Sequence, residues 1–188
     1  ARLEGMEGVP EWPAERLHEP INLRWQKNML AQVSIFGRDV RWDFFGAWQH
    51  AVDCGYAHFA SHRDVAGMKL WSWGNAGAGI MNQAALTDDG SLYAETQCGA
   101  METQLDFAFL SPGQTRRWRE WWLPLRGLGG LTCASVDLGA RLGLAPASAD
   151  GQVQLTIGLC PVRDLGRASV IVATPRQTLW QGQADLAP

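Results

Sequence analysis

Short runs in which apolar and polar residues alternate predict an all-β chain. The clearest are Val33–Phe36, Tyr56–Ser61, Met68–Trp73 and Leu92–Gln97, because a period of two is the signature of a strand with two unlike faces. Turn and breaker clusters separate the runs: Asp88-Asp89-Gly90, Ser111-Pro112-Gly113, Gly127 with Gly129 and Gly130, Pro146, Asp150-Gly151, Pro161 and Thr174-Pro175. Such punctuation ends strands and reverses the chain. Ten tryptophans against two tyrosines complete the pattern. Indoles either wedge between packed sheets or offer flat apolar faces to a ligand, and most of these ten are expected in the core.

Taken in order, residues 1–20 carry Gly5, Gly8, Pro10, Pro13 and Pro20 among charges, which argues for a connecting arm in place of a continuous ladder. Ile21–Phe36 alternates imperfectly, with Val33-Ser34-Ile35-Phe36 its clearest strand. Gly37–Asp43 is polar and turn-like. Phe44, Phe45 and Trp48 cluster beside Gly46, as sugar-stacking surface or as a packed corner. Tyr56–Ser61 forms a strand with His58 in its middle and His62 just past its end. A histidine titrates near neutrality and suits proton transfer at a sugar hydroxyl, although a strand histidine also serves structure alone. His18 and His50 receive no role.

Across Gly67–Asn75, alternation sets Lys69, Trp71 and Trp73 on one side and Met68, Leu70 and Ser72 on the other. A lysine beside two indoles makes a floor and a donor for a hydroxylated ligand, or else a side chain snorkelling past the rings to water. Asn75–Gln83, rich in Gly and Ala, reads as a loop. After the Asp88-Asp89-Gly90 turn, Glu95 shares a strand face with Tyr93 and Gln97, while Ala94, Thr96 and Cys98 take the other. A hairpin reading brings Glu95 near the strand of Lys69 and Trp71. Glu95 either faces solvent or lines a concave polar site; alternation alone does not choose. Trp118–Pro124 reads as a further strand. Beyond the glycines at 127–130, short runs predict a small antiparallel sandwich of structural character.

Composition narrows the functions. A net charge of -3 with scattered basic residues leaves no footprint for nucleic acid, and no apolar stretch approaches a membrane span. The expected location is the cytoplasm. Cys54, Cys98, Cys133 and Cys160 form no Cys-x-x-Cys pair, so no metal site is predicted and the four read as buried free thiols. The Gly/Ala stretch lacks phosphate-loop spacing, and no cofactor is expected.

Glu95-Thr96-Gln97, followed by Leu110-Ser111-Pro112-Gly113-Gln114, resembles the late segment of galactose mutarotases and aldose 1-epimerases, where a Glu-Thr-Gln run precedes a Leu-x-Pro-Gly-Glu turn. Lys69-Leu70-Trp71-Ser72-Trp73-Gly74-Asn75 and Trp118–Pro124 are similar to a bacterial domain of unknown function, DUF5107, of mutarotase-like β-supersandwich fold and often joined to tetratricopeptide repeats. The resemblance spans roughly residues 10 to 126. It implies residues 1–126 as the C-terminal half of a galactose mutarotase-like β-supersandwich, a partial domain whose other half lies elsewhere, followed by a small immunoglobulin-like β-sandwich over 127–188. It also implies a carbohydrate ligand, with Glu95 as the base at the anomeric hydroxyl. The acid partner would be His58 or His62, neither of which matches the family's histidine motif. Lys69, Trp71, Trp73, Tyr93 and Gln97 would hold the sugar. The alternatives are a non-catalytic carbohydrate-binding module, or a scaffold domain of a larger tetratricopeptide-repeat protein; a glycosidase would require Asp88, Asp89, Glu102 or Asp106 to face Glu95 across a cleft.

Overall fold

The apolar residues of the Val33 strand and the Met68 strand recur every second position, so pairing them stacks one apolar row on another and leaves a second row facing away. The computed structural model describes residues 2–6, 14–16, 19–147 and 149–188. In chain order its strands are β1 (Arg2–Met6), β2 (Ala14–Arg16), β3 (Glu19–Ile21), β4 (Val33–Arg38), β5 (Phe44–Gln49), β6 (Cys54–Ala60) and β7 (Gly67–Ser72), and then, after the helix α1 (Ala78–Leu86), β8 (Glu95–Gly99), β9 (Glu120–Arg126), β10 (Cys133–Ala134), β11 (Leu138–Leu144), β12 (Leu155–Pro161), β13 (Gly166–Ala173) and β14 (Thr178–Leu186). The all-β class stands, with α1 as the one α-helix among the described residues. No helix there is long and apolar enough to cross a membrane.

The chain divides into two units, Ala1–Trp42 with Ser61–Arg119, and Asp43–Ala60 with Glu120–Pro188. In the first, an antiparallel sheet runs β1-β4-β7-β8, and β2 pairs with β3. Val33 and Ile35 share one face with Leu70, and that face packs on Leu23 and Met29. Burying each large aliphatic stabilises the unit by about 1.5–3 kcal/mol. The predicted arm is a finding corrected: Gly5 sits inside β1, paired with Ile35, and Pro20 inside β3, paired with Glu15. Residues 7–13, with Gly8, Pro10 and Pro13, lie outside the described residues. A proline at a short two-stranded edge loses no ladder bond on its open side, which is why Pro20 is tolerated.

The Gly/Ala stretch expected as a loop instead forms α1. Ala78, Met81, Gln83, Ala84, Ala85 and Leu86 are all strong helix formers, and together they outweigh Gly79. Gln83 is fully buried on this helix. Its Nε2 donates to the Gly74 carbonyl at 2.7 Å and its Oε1 accepts from the Tyr93 amide at 2.7 Å. One side chain thus ties the end of β7 to the start of β8.

The second unit holds three antiparallel sheets, β5-β6-β9, β10-β11-β12 and β13-β14. Ala57, Leu123 and Leu125 form its core, with Trp48, Phe59, Leu131, Cys160 and Val162 packed around them. Gly139 lies directly against the Leu125 side chain, where a Cβ would overlap the leucine methyls.

Two compositional expectations change. None of the described tryptophans is buried: Trp48, Trp71 and Trp73 are half-buried, while Trp25, Trp42, Trp118, Trp121, Trp122 and Trp180 are exposed. Trp12 lies outside the described residues. The indole is large and seldom fully enclosed. All four cysteines are free, but Cys133 is exposed and the other three are half-buried.

Candidate functional site

Strand β7 lies between β4 and β8, and the register sets who faces whom. Lys69 stands opposite Phe36 on one side and Gln97 on the other, and Trp71 stands opposite Ser34 and Glu95. Directly opposed residues in an antiparallel ladder share a face. Lys69, Trp71, Glu95 and Gln97 therefore form a two-by-two block of side chains, each half-buried. The opposite face carries Leu70 and the apolar cluster, so the polar block is backed by core.

Within the block Gln97 Nε2 donates to Glu95 Oε2 at 2.6 Å. The amide fixes one carboxylate oxygen and leaves Oε1 with no donor among the described residues. The Lys69 ammonium lies 5.5 Å from the centre of the Phe36 ring, a cation–π distance. Burial holds the Lys69 pKa below the ordinary lysine range, and the Glu95 carboxylate works in the opposite direction. Lys69 Nζ, Trp71 Nε1 and Gln97 Oε1 likewise have no hydrogen-bond partner among the described residues, and none of these atoms is sealed from solvent. The block thus offers donors and acceptors that the fold itself does not use.

Trp73 continues the same side. Its ring meets that of Trp71 edge-on, centroids 4.4 Å apart at 76°, and its Nε1 donates to the Tyr93 hydroxyl at 3.0 Å. Tyr93 is held through its backbone by Gln83. Gly74 follows with φ 84, its N–H donating to the buried Ser72 Oγ at 3.1 Å. A side chain at 74 would run into the Ala31 backbone, so glycine is what lets β7 turn sharply behind the indole pair.

The two histidines take different places. His58 belongs to the second unit, at 0% exposure on β6. Its Nε2 lies 2.9 Å from Glu120 Oε2, its ring stacks on Phe45 at 4.6 Å and meets Trp122 at 4.8 Å, and Nδ1 has no hydrogen-bond partner. Phe45 and Trp122 are its two cross-strand neighbours; of the aromatic cluster expected at Phe44, Phe45 and Trp48, Phe45 stacks on this histidine, while Trp48 packs on the core of Ala57, Leu123 and Leu125. His62, half-buried, occupies the turn after β6 and belongs to the first unit with Glu95. Gln83 and Phe36 are the contributors that sequence reasoning passed over. The run of helix formers from 78 to 86 was the available signal for Gln83; Phe36 gave none beyond its place in a strand.

A family model described as "Domain of unknown function (DUF5107)" matches residues 1–125. A crystal structure of a TPR-domain containing protein from Parabacteroides distasonis ATCC 8503 is similar with a TM-score of 0.51 at 24% sequence identity, over 65% of this chain and 21% of that one. At that identity the likeness is one of fold, and the chain spans 21% of that protein's length.

Proposed function

The chain belongs to the DUF5107 family, and on that footing we propose that it binds carbohydrate, as a protein of galactose mutarotase-like fold, on the face carrying Lys69, Trp71, Glu95 and Gln97. The observation that carries this reading is the unused hydrogen-bonding capacity beside an indole pair. A pyranose presents hydroxyls around its rim and C–H groups on its faces, so it needs mixed donors and acceptors next to a flat aromatic surface. Glu95 Oε1 accepts from one hydroxyl, Lys69 Nζ donates to a neighbouring one, and Trp71 with Trp73 takes the C–H face. Gln97 holds the carboxylate in place, which spares the ligand part of the cost of ordering it. A hydrogen bond to a charged group contributes about 1.5–3 kcal/mol and an aromatic contact about 0.5–1.5 kcal/mol, so the expected affinity is that of a modest sugar site.

Interconversion of anomers requires more. A base removes the anomeric hydroxyl proton as an acid protonates the ring oxygen, the bond from C1 to the ring oxygen breaks to give the open-chain aldehyde, and reclosure on either face with both proton transfers reversed completes the exchange. Glu95 is suited to the first step. For the second, His62 is the histidine of the same unit among the described residues; His58 gives its Nε2 to Glu120 and has no exposed surface. The commitment of His58 favours binding without turnover.

Titration with glucose and galactose, followed by tryptophan fluorescence, tests the binding reading. The expected result is a saturable change that Trp71→Ala abolishes and Glu95→Gln weakens about tenfold or more, in line with loss of a charge-assisted bond. A response unchanged in both variants refutes the site. Polarimetry on the same samples separates catalysis from binding, with rates above the uncatalysed background and lost in Glu95→Gln required for an enzyme. Absence of any sugar response favours a scaffold role, the second reading, which the similarity to a TPR-domain containing protein supports.

A further inference from the structure

The segment after β8 leaves apolar side chains in water on a rigid base. Asp106 Oδ2 accepts from both the Thr103 N–H and the Thr103 hydroxyl at 2.9 Å, and Thr103 Oγ1 accepts from the Leu105 N–H at 3.1 Å. Arg38 Nη1 lies 3.4 Å from Glu102 Oε2 and 3.9 Å from Asp106 Oδ2. On the far side the Ser111–Gln114 turn is closed by Gln114 N–H donating to the Ser111 carbonyl at 2.9 Å, and by Ser111 N–H donating to Gln114 Oε1 at 3.0 Å. Between these two fixed ends, Phe107 to Leu110 adopt neither helix, strand nor turn. Among the described residues, no hydrogen bond ties their backbone to the rest of the chain.

The exposure is large for aromatic residues. Phe109 is 94% exposed and Phe107 83%, with Leu105 and Leu110 at 64% and 59%. Together the four leave on the order of 600 Å² of apolar surface in water. That reaches the upper end of what a monomeric protein shows in a single patch, about 300–600 Å². A stable dimer needs about 800 Å² per partner, so these side chains with the backbone between them come close to that amount from one segment.

We infer that Phe107–Leu110 is a dimerisation strand that pairs antiparallel with the same segment of a second copy of this chain. Three features select a second copy. The backbone has open N–H and C=O groups, which another extended segment satisfies and a compact ligand does not. The surface is a ridge held at both ends, and a two-fold axis brings identical ridges together without further adaptation. With that axis between the two copies' Ala108 as a hydrogen-bonded pair, each Phe107 lies opposite the other copy's Phe109. Aromatic then meets aromatic on one face of the pair, a favourable kind of cross-strand contact.

Sedimentation velocity on the intact chain, from about 1 to 100 μM, tests this; interfaces of this size span micromolar and tighter affinities. The expected result is a concentration-dependent monomer–dimer equilibrium. Phe109→Asp should raise its dissociation constant about thirtyfold or more, as truncating a central aromatic anchor does. Ala108→Pro removes one backbone donor without reducing apolar area and should weaken the dimer as well. Both positions are solvent-exposed, so the far-UV circular dichroism of each variant should match wild type. A wild-type chain that stays monomeric across the range, a dimer indifferent to Phe109→Asp, or a dimer weakened by Phe109→Asp and untouched by Ala108→Pro each overturns the inference.

Discussion

Replacing Gln83 with leucine keeps the volume and removes both of its hydrogen bonds. In the folded chain the Gly74 carbonyl is buried and receives the Gln83 amide, and the half-buried Tyr93 N–H gives to the Gln83 carbonyl. Leucine leaves the carbonyl unsatisfied, a cost of about 1–3 kcal/mol, and strips the N–H of a bond contributing about 0.5–1.5 kcal/mol. The side chain is fully enclosed, so water does not readily replace the amide. The summed expectation is a loss of about 2–4 kcal/mol. Urea unfolding followed by tryptophan fluorescence reads it directly. With a slope of about 1–3 kcal/mol per molar urea, the midpoint should fall by roughly 1–2 M. Asn82→Leu, on the neighbouring exposed position of the same helix, serves as the control and should stay within about 0.5 kcal/mol of wild type. A Gln83→Leu midpoint equal to that of Asn82→Leu would refute the reasoning that this side chain ties β7 to β8.

Two further outcomes follow from the same face. The Lys69 ammonium releases its proton at lower pH in the folded chain than in the unfolded one. Stability should therefore climb with pH from the lowered Lys69 pKa up to the ordinary lysine value and be flat, for this group, below that window. Lys69→Met should flatten the climb in a series of urea titrations from neutral to alkaline pH, and an unchanged climb would dismiss burial as its cause. Gly74→Ala forces a Cβ into the left-handed region and against the Ala31 backbone; a loss of about 2–5 kcal/mol in thermal or urea unfolding is expected, and a loss under about 1 kcal/mol would mean the turn re-forms elsewhere.

Sequence periodicity recovered what depends on a period of two. The grouping of Lys69 with Trp71, and of Glu95 with Gln97, follows from alternation alone, and their meeting needs only that β7 and β8 be neighbours. The helix α1 was hidden by composition, because glycine and alanine serve loops and helices alike until a buried partner such as Gln83 decides. The fate of His58 was not legible either. Its strand periodicity is ordinary, and only pairing with β5 and β9 brings Phe45, Trp122 and Glu120 around it. The β1 strand was masked by Gly5, whose weak strand preference is overridden by pairing with the apolar β4.

The backbone passes from one unit to the other at Trp42/Asp43, again at Ala60/Ser61 and a third time at Arg119/Glu120. A single proteolytic nick at any of these junctions leaves the halves covalently joined. During synthesis the β5–β6 hairpin must also wait, with β6 lacking its second neighbour, until the whole Ser61–Arg119 excursion and then β9 have been translated. Ending the chain anywhere between Ser61 and Arg119 would therefore leave an orphaned hairpin and not a smaller finished unit.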